Sequence, residues 1–490
     1  MAGKVSRATN DQCTPYGARL MLKWMNGLEV STKTKIFQVL ILFMTYVSYT
    51  SFHMTRKVIS VVTPVLERGS GDQSAWPPFD QRDSQGTLIA VVDTVFVLSY
   101  ASGMMFAGAI AERIDLRYFL VVGMTLSASF TALFGLGRYL HIHQFPFFLL
   151  VQMVSGVVQS SGWPAVMCLV GNWFGHHRRG LIFGLWNSHA PLGNILGSLV
   201  AGIWVDTDWA MSFLVPAAIM LAVSIICFFY VVPYPDMVHC NSPEYKWSHE
   251  NDDDRNPLLE EKEKTAADLE ESEESKKPAI SFLAAIKMPG VMEYAMCLFF
   301  VKSVQNCFLY WLPSYLQSKA NSSSQDAANM STLFDIGGII GGMLIGAISD
   351  AFSDRALVTA ASIALAVPLM LIYDSSGINN LYSLSLLLLV GMTVSGPPTL
   401  ITTAVSADLG TEKTLRHNSR ALATVVSIID SAGHFGSAIG LTLCFIMDYQ
   451  KVFYLLVACD LVSLLFLTRL IIKSVKCLIG KWNCAPSSHN

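Results

Sequence analysis

The sequence predicts an all-α polytopic membrane protein with twelve transmembrane helices in two six-helix halves, and three observations carry that expectation. Only 14% of the 490 residues are charged while 52% are hydrophobic, and the mean hydropathy is +0.45; soluble domains carry about 25% charged residues. The apolar residues recur in stretches close to the ~20 residues that a spanning helix needs. A strongly acidic segment separates six such stretches from six more. Helices follow because lipid satisfies no backbone polar group, and no series of short alternating segments suggests a barrel.

Residues 1–35 read as a polar, basic cytosolic arm without the apolar core and small-residue cleavage site of a signal peptide, so the first helix is expected to direct insertion. The first half, 36–235, holds apolar stretches near 36–62, 87–109, 118–137, 147–170, 181–205 and 211–233. The linker, 236–285, carries Asp252, Asp253, Asp254 and the tract from Glu260 through Glu274, the composition of a disordered cytosolic segment. The second half, 286–472, holds stretches near 291–316, 331–349, 357–374, 381–405, 421–447 and 451–472, and a basic cytosolic tail follows at 473–490. Trp163-Pro164 and Gly396-Pro397-Pro398 mark helix bends of the kind that shape transporter cavities.

The halves repeat a local pattern: Gly108-Ala-Ile-Ala-Glu112-Arg113 follows the second stretch, and Gly346-Ala-Ile-Ser-Asp350 follows the eighth. The glycine allows close helix approach, and the acid at a helix end can pair with a neighbouring terminus and stabilise one conformation. Two copies in register imply duplication. Orientation follows from the basic residues of the short loops: Arg113, Arg117, Arg178, Arg179, Arg355, Lys413, Arg416 and Arg420 outnumber Arg68, Arg82, Arg138, Lys319 and Lys451 opposite. Both termini and the linker are thereby expected in the cytosol. The glycosylation tripeptides at Asn321 and Asn329 fall on the exterior or luminal side.

The composition excludes several function classes. The net charge of −3 comes from basic loops and one acidic linker, which is no nucleic-acid footprint. Ten cysteines lack disulfide or metal spacing, and Cys168, Cys227, Cys297, Cys307 and Cys444 read as small buried hydrophobes. No phosphate-binding loop, nucleophile elbow or histidine-rich cluster is present. We therefore expect neither an enzyme nor ATP-driven pumping, with no metal, no cofactor and no catalytic residues.

Ionisable residues inside the membrane cost at least ~2.5 kcal/mol on insertion scales, so each invites a functional reading. Arg56 and Lys57 lie about twenty residues into the first stretch. Such a pair suits a dianion, arginine offering a fork to phosphate oxygens and lysine a point charge, although both could instead snorkel at the helix end. Lys302 is the corresponding cation of the second half, with an internal ion pair as the alternative role. Asp93, Asp335 and Asp430 are candidates for gating or for pairing with these cations when the site is empty. His189 could donate to phosphate or simply pack. His434, one turn beyond Asp430, shares its helical face.

The segments His53-Met-Thr-Arg-Lys57, Trp76-Pro-Pro-Phe-Asp80, Gly171-Asn-Trp-Phe-Gly175, Arg179-Gly180, Trp186-Asn-Ser-His189, Gly193-Asn-Ile-Leu-Gly-Ser198, Asp335-Ile-Gly-Gly338 and Ile401-Thr-Thr-Ala-Val-Ser-Ala-Asp-Leu-Gly410 occur in one order along most of the chain. In these the chain resembles the organophosphate:phosphate antiporters of the major facilitator superfamily, specifically the animal sugar-phosphate exchangers. The resemblance implies a major facilitator fold and exchange of a sugar phosphate for inorganic phosphate at one cationic site open to each side in turn. It also implies that Arg56 is the phosphate-binding cation of the first helix. The chain departs from bacterial members, which place their histidine one residue after the position of His189, a second-half cation at the position of Gln305, and a lysine at the position of Met104.

Two other functions remain open from the residues: proton-coupled transport of an organic anion, suggested by Asp93, His189, Asp335 and Asp430, and a transport-inactive membrane scaffold or sensor recruiting partners through the linker. The resemblance implies the endoplasmic reticulum membrane. Asp254-Arg-Asn-Pro-Leu258-Leu259, by contrast, has the form of an acidic dileucine signal for a sorting adaptor, which would direct the protein to endosomes or lysosomes.

Overall fold

The computed structural model describes residues 14–66, 76, 79, 85–111, 113–174, 186–205, 207–240, 282–320, 324–352, 354–376, 381–410, 421–447 and 449–483. Among them the regular structure is helical, and the membrane helices fall where the hydropathy places them. They are α1 (Val30–Leu66), α2 (Gln85–Ala111), α3 (Leu116–Tyr139), α4 (Phe145–Gln159 continued by Gly162–Trp173), α5 (His189–Gly202), α6 (Trp209–Tyr230), α7 (Val291–Ala320), α8 (Ser324–Phe352), α9 (Arg355–Ser375), α10 (Leu381–Leu400), α11 (Ala421–Ile446) and α12 (Tyr449–Asn483). Ten of these regions are long and apolar enough to cross a membrane. The other two are α5, of which 14 residues are described as helix, and α11.

Helix ends differ from the apolar stretches for a physical reason. Hydropathy marks where lipid surrounds the chain, whereas a helix continues as long as its backbone bonds are made. So α1 begins at Val30 and not near 36, and α12 runs on to Asn483, eleven residues past 472. The N-terminal arm contains a further short helix, Tyr16–Trp24. Gly17 packs it against Phe229 and Tyr230 at the end of α6, and the Thr14 hydroxyl donates to Met237 O at 3.0 Å. Most of the linker, including Leu258 and Leu259, lies outside the described residues, as do Glu112 and Asn321; Asn329 falls in the opening turns of α8.

Regular α-helix is interrupted at or beside both proline sites. At the first, Pro164 lacks an N–H for the carbonyl of Ser160, and the hydroxyls of Ser160 and Ser161 donate to Val157 O (2.6 Å) and Val158 O (2.8 Å), so α4 breaks at these two serines. At the second, Pro397 and Pro398 sit inside α10, and the freed backbone is followed by a π-helical turn, Ile401–Val405. Pro216 in α6 and Pro368 in α9 are further helix prolines that no expectation singled out.

In lipid, helix association rests on close packing and interhelical hydrogen bonds. A Cβ on Gly197 would lie 2.6 Å from Met54 O and 2.8 Å from Lys57 Cβ, so the Gly193–Gly197 pair lets α5 press directly on α1 behind its cations. Gly433, Gly436 and Gly440 do the same for α11 against α7. The halves meet chiefly where α2 packs along α11. Thr94 and Thr442 share a 3.3 Å hydrogen bond at one end, and the Ser431 hydroxyl donates to Ala101 O at 2.7 Å midway. At the other end Gly108 faces Ser427 and Ala423 so closely that any side chain would collide with both.

Candidate functional site

A cavity lies between the halves, lined by α1, α2, α4, α5, α7, α8, α10 and α11, with about 1260 Å³ of empty space including that continuous with solvent. Helix α1 presents Tyr49, His53, Arg56 and Lys57 to it, positions one and two turns apart on one face. Three cations line the wall, Arg56, Lys57 and Lys302, against two carboxylates, Asp335 and Asp430. The formal balance therefore favours an anion.

Arg56 is held on two sides. Its Nε donates to Gln159 Oε1 at 2.7 Å, and its guanidinium lies 4.3 Å from the centre of the Tyr100 ring and 5.8 Å from that of Tyr49. Gln159 is the last residue before the break in α4, so the Ser160–Ser161 kink ends the segment at the residue that anchors the arginine. The hydroxyls of Tyr49 and Tyr100 share a 3.1 Å hydrogen bond that keeps the two rings together. One terminal nitrogen of Arg56, Nη2, remains buried without a hydrogen-bond partner. A buried orphan donor on a charged, immobilised group costs on the order of 1–3 kcal/mol or more, which an incoming oxyanion would recover.

Lys302 is paired: its Nζ lies 2.5 Å from Asp430 Oδ1, with side-chain exposures of 14% and 3%. His434 completes a cluster, its Nδ1 lying 3.3 Å from Lys302 Nζ, 3.3 Å from Asp430 Oδ2 and 2.9 Å from Asp430 O. Its ring lies 4.4 Å from that of Tyr100, which links this cluster to Arg56. Lys57 is acted on through space by Asp335 and then Asp93. Of these two acids only Asp335 lines the cavity. The acids thus divide, Asp430 contacting Lys302 directly and Asp335 lining the cavity from α8 with Lys57.

His189 is fully buried. Trp186, Tyr49, Tyr46 and His53 surround it with ring centres 4.6, 4.8, 6.0 and 6.1 Å away. Neither ring nitrogen has a hydrogen-bond partner, although the residue lines the cavity. Tyr49, Tyr100 and Gln159 went unnoticed as site residues. Tyr49 was discoverable, since it stands seven residues before Arg56 on the same helical face; Tyr100 and Gln159 carry no local signal.

The repeated Gly-x-x-x-acid pattern lies apart from this cavity. Arg355 Nη1 donates to Asp350 Oδ1 at 2.7 Å and to Ser349 Oγ at 3.0 Å, while its Nε donates to Asp408 Oδ2 at 3.0 Å. The start of α9 is thereby tied to the end of α8 and to the short helix Ser406–Gly410 beyond α10. Gly346 is buried in α8. In the first half Gly108 makes the α2–α11 contact described above, and Arg113 is exposed. Arg117, spaced from Glu112 as Arg355 is from Asp350, is buried with its guanidinium 4.7 Å from the Tyr118 ring centre.

Comparison with known proteins accounts for this architecture. The Major Facilitator Superfamily pattern matches residues 40–441. Glucose-6-phosphate exchanger SLC37A2 of Bos taurus is 42% identical over 466 residues, covering 90% of this chain and 95% of the relative. The same exchanger of Danio rerio is 43% identical over 461 residues, covering 89% and 92%. Glucose-6-phosphate exchanger SLC37A1 of Homo sapiens is 39% identical over 523 aligned positions, covering 94% and 97%. The chain therefore belongs to the major facilitator superfamily and, within it, to the family of the SLC37A1 and SLC37A2 exchangers.

Proposed function

We propose that this multi-pass membrane transporter exchanges glucose 6-phosphate, or a closely related sugar phosphate, for inorganic phosphate, with the central cavity opening to each side of the membrane in turn. The observation that carries the reading is the unsatisfied Nη2 of Arg56, on a guanidinium already fixed by Gln159 and the Tyr100 ring. Preorganisation of this kind lowers the ordering cost of binding. Lys57 and Lys302 add positive charge, and His189 offers a ring nitrogen to the same ligand. The acids Asp93, Asp335 and Asp430 neutralise these cations when no anion is bound.

Exchange follows from the electrostatics. Both substrates present a phosphate dianion to the same cations, while the sugar needs only room and the polar groups of Asn306, Gln305 and Asn194 along the wall. An empty site leaves Arg56 desolvated and incompletely bonded, which raises the barrier to reorienting unloaded. In proteoliposomes loaded with inorganic phosphate, external glucose 6-phosphate should enter faster than into unloaded vesicles, without a pH gradient. Arg56→Ala should abolish that uptake while the protein still reaches the membrane. Equal uptake by loaded and unloaded vesicles, or normal exchange by the variant, would refute the proposal. The Lys302–Asp430–His434 cluster supports a second reading, proton-coupled transport of an organic anion, for which uptake would follow an imposed pH gradient with no phosphate inside.

The location we propose is the endoplasmic reticulum membrane, with both termini and the linker in the cytosol and Asn321 and Asn329 on the luminal side, open to glycosylation. An active dileucine signal at Leu258 and Leu259 would instead place the protein in endosomes or lysosomes through a sorting adaptor.

A further inference from the structure

A second cavity opens where α7 begins and α12 leaves the apolar part of its span, away from the central site. Its wall carries Glu293, Arg469, Lys473 and Lys476, with Leu470 and Ile472 between them. Arg469, Lys473 and Lys476 stand at successive turns on one face of α12. The apolar stretch of α12 ends near residue 472, so this face crosses from hydrocarbon to headgroups within two turns. Glu293 is already engaged: its Oε1 accepts from Arg469 Nη1 at 2.8 Å and its Oε2 from the Gly290 N–H at 3.1 Å. No carboxylate among the described residues pairs with Lys473 or Lys476, and both are exposed. Ile472 in the notch wall is 50% exposed, and Leu465, one turn before Arg469 on α12, is 71% exposed.

The notch lies on the membrane side that holds the Arg355 network. A Cβ on Gly290 would be 3.3 Å from Leu409 Cδ2, and Leu409 belongs to the same short helix as Asp408, the partner of Arg355. Three cations at headgroup depth, one neutralised and two unpaired, next to bare apolar side chains, match an amphiphile with an anionic head and hydrocarbon tails. A soluble anion would have no use for the apolar half of that surface. Polybasic clusters at a membrane border attract anionic lipids in this way, and lysine stems can lie along hydrocarbon while their ammonium groups reach the headgroups.

We propose that this notch binds the phosphorylated headgroup of an anionic phospholipid, with Lys473 and Lys476 on the phosphate and the acyl chains along Leu465 and Ile472. The bound lipid lies along the end of α12 beside the first turn of α7, at the point where the central linker enters the second half.

Native mass spectrometry of the full-length protein tests this, with phosphatidylcholine or phosphatidylinositol monophosphate supplied as the lipid. One anionic lipid per chain should be retained, and Lys473→Gln with Lys476→Gln should weaken its retention about 30-fold, roughly fivefold for each lysine. Lys473→Arg with Lys476→Arg should retain it, and an unchanged melting temperature of the glutamine variant in phosphatidylcholine would show that folding is intact. Equal retention of phosphatidylcholine, undiminished retention by the glutamine variant, or displacement of the lipid by millimolar inorganic phosphate would overturn the proposal, the last outcome indicating a site for free phosphate.

Discussion

Replacing Asp430 by asparagine isolates Lys302 from its counter-ion, and the structure sets what should follow. The pair is 2.5 Å apart with side chains only 14% and 3% exposed, so the variant leaves an ammonium in a poorly hydrated wall. Removing one member of a buried pair costs about 3–5 kcal/mol, whereas replacing both by apolar residues of similar size is often neutral. Asp430→Asn and Lys302→Met should each lower the melting temperature of the purified protein clearly, and Lys302→Met with Asp430→Leu should restore it. Transport should behave differently. If Lys302 contacts the phosphate, its loss removes a charge-assisted hydrogen bond worth about 1.5–3 kcal/mol, or roughly 10- to 150-fold in affinity. The double variant should therefore be stable but slow in phosphate counterflow. Recovery of exchange together with stability would refute the reasoning and make Lys302 a structural ion-pair partner only.

Further outcomes follow from the same geometry. Arg56→Lys keeps the charge but loses the Nε bond to Gln159 and the planar fork, so exchange should fall by about 10- to 100-fold in apparent affinity, measured as a shift in half-saturating glucose 6-phosphate. Gly108→Val should force α2 away from Ser427 and Ala423 at a cost of about 1–3 kcal/mol; cross-linking of cysteines introduced at positions 101 and 431, the nearest α2–α11 hydrogen-bonded pair, should drop, and an unchanged yield would contradict the tight contact. Protease added to sealed, cytosol-side-out vesicles should cut within the linker, and cleavage only after the vesicles are opened would reverse the orientation. Leu258→Ala with Leu259→Ala should leave a reticular distribution unaltered; a shift from endosomes or lysosomes to the cell surface would show the dileucine signal to be active.

Much of this protein was legible in one dimension because lipid imposes a one-dimensional rule. A segment that crosses the membrane must satisfy its own backbone and show apolar side chains to its surroundings, so number, order and approximate position of the helices follow from local composition. The interruptions of regular α-helix at Trp163-Pro164 and after Gly396-Pro397-Pro398 were legible too, since a missing N–H acts within its own helix. So was the unusual status of Arg56, Lys57, Lys302, His189 and the three acids, because a charge or imidazole in an apolar stretch stands out without knowledge of its partners. The same local rule misjudged the extents of α1 and α12, whose helices outrun their lipid-facing portions.

Which of these groups meet was decided only by tertiary packing. Asp93, Asp335 and Asp430 look equivalent along the chain, yet the contact of α7 with α11, allowed by Gly433, Gly436 and Gly440, gives Lys302 to Asp430 alone. Gln159 and Tyr100 have no mark in the sequence; the broken α4 and the packed α2 bring them to Arg56. A side chain's depth and helix are local properties, settled by its neighbours along the chain and the lipid around it. Its partner is set by the rotation and spacing of two helices that can lie more than a hundred residues apart in sequence, as Lys302 and Asp430 do, and those depend on glycine contacts and interhelical hydrogen bonds that only the assembled bundle forms.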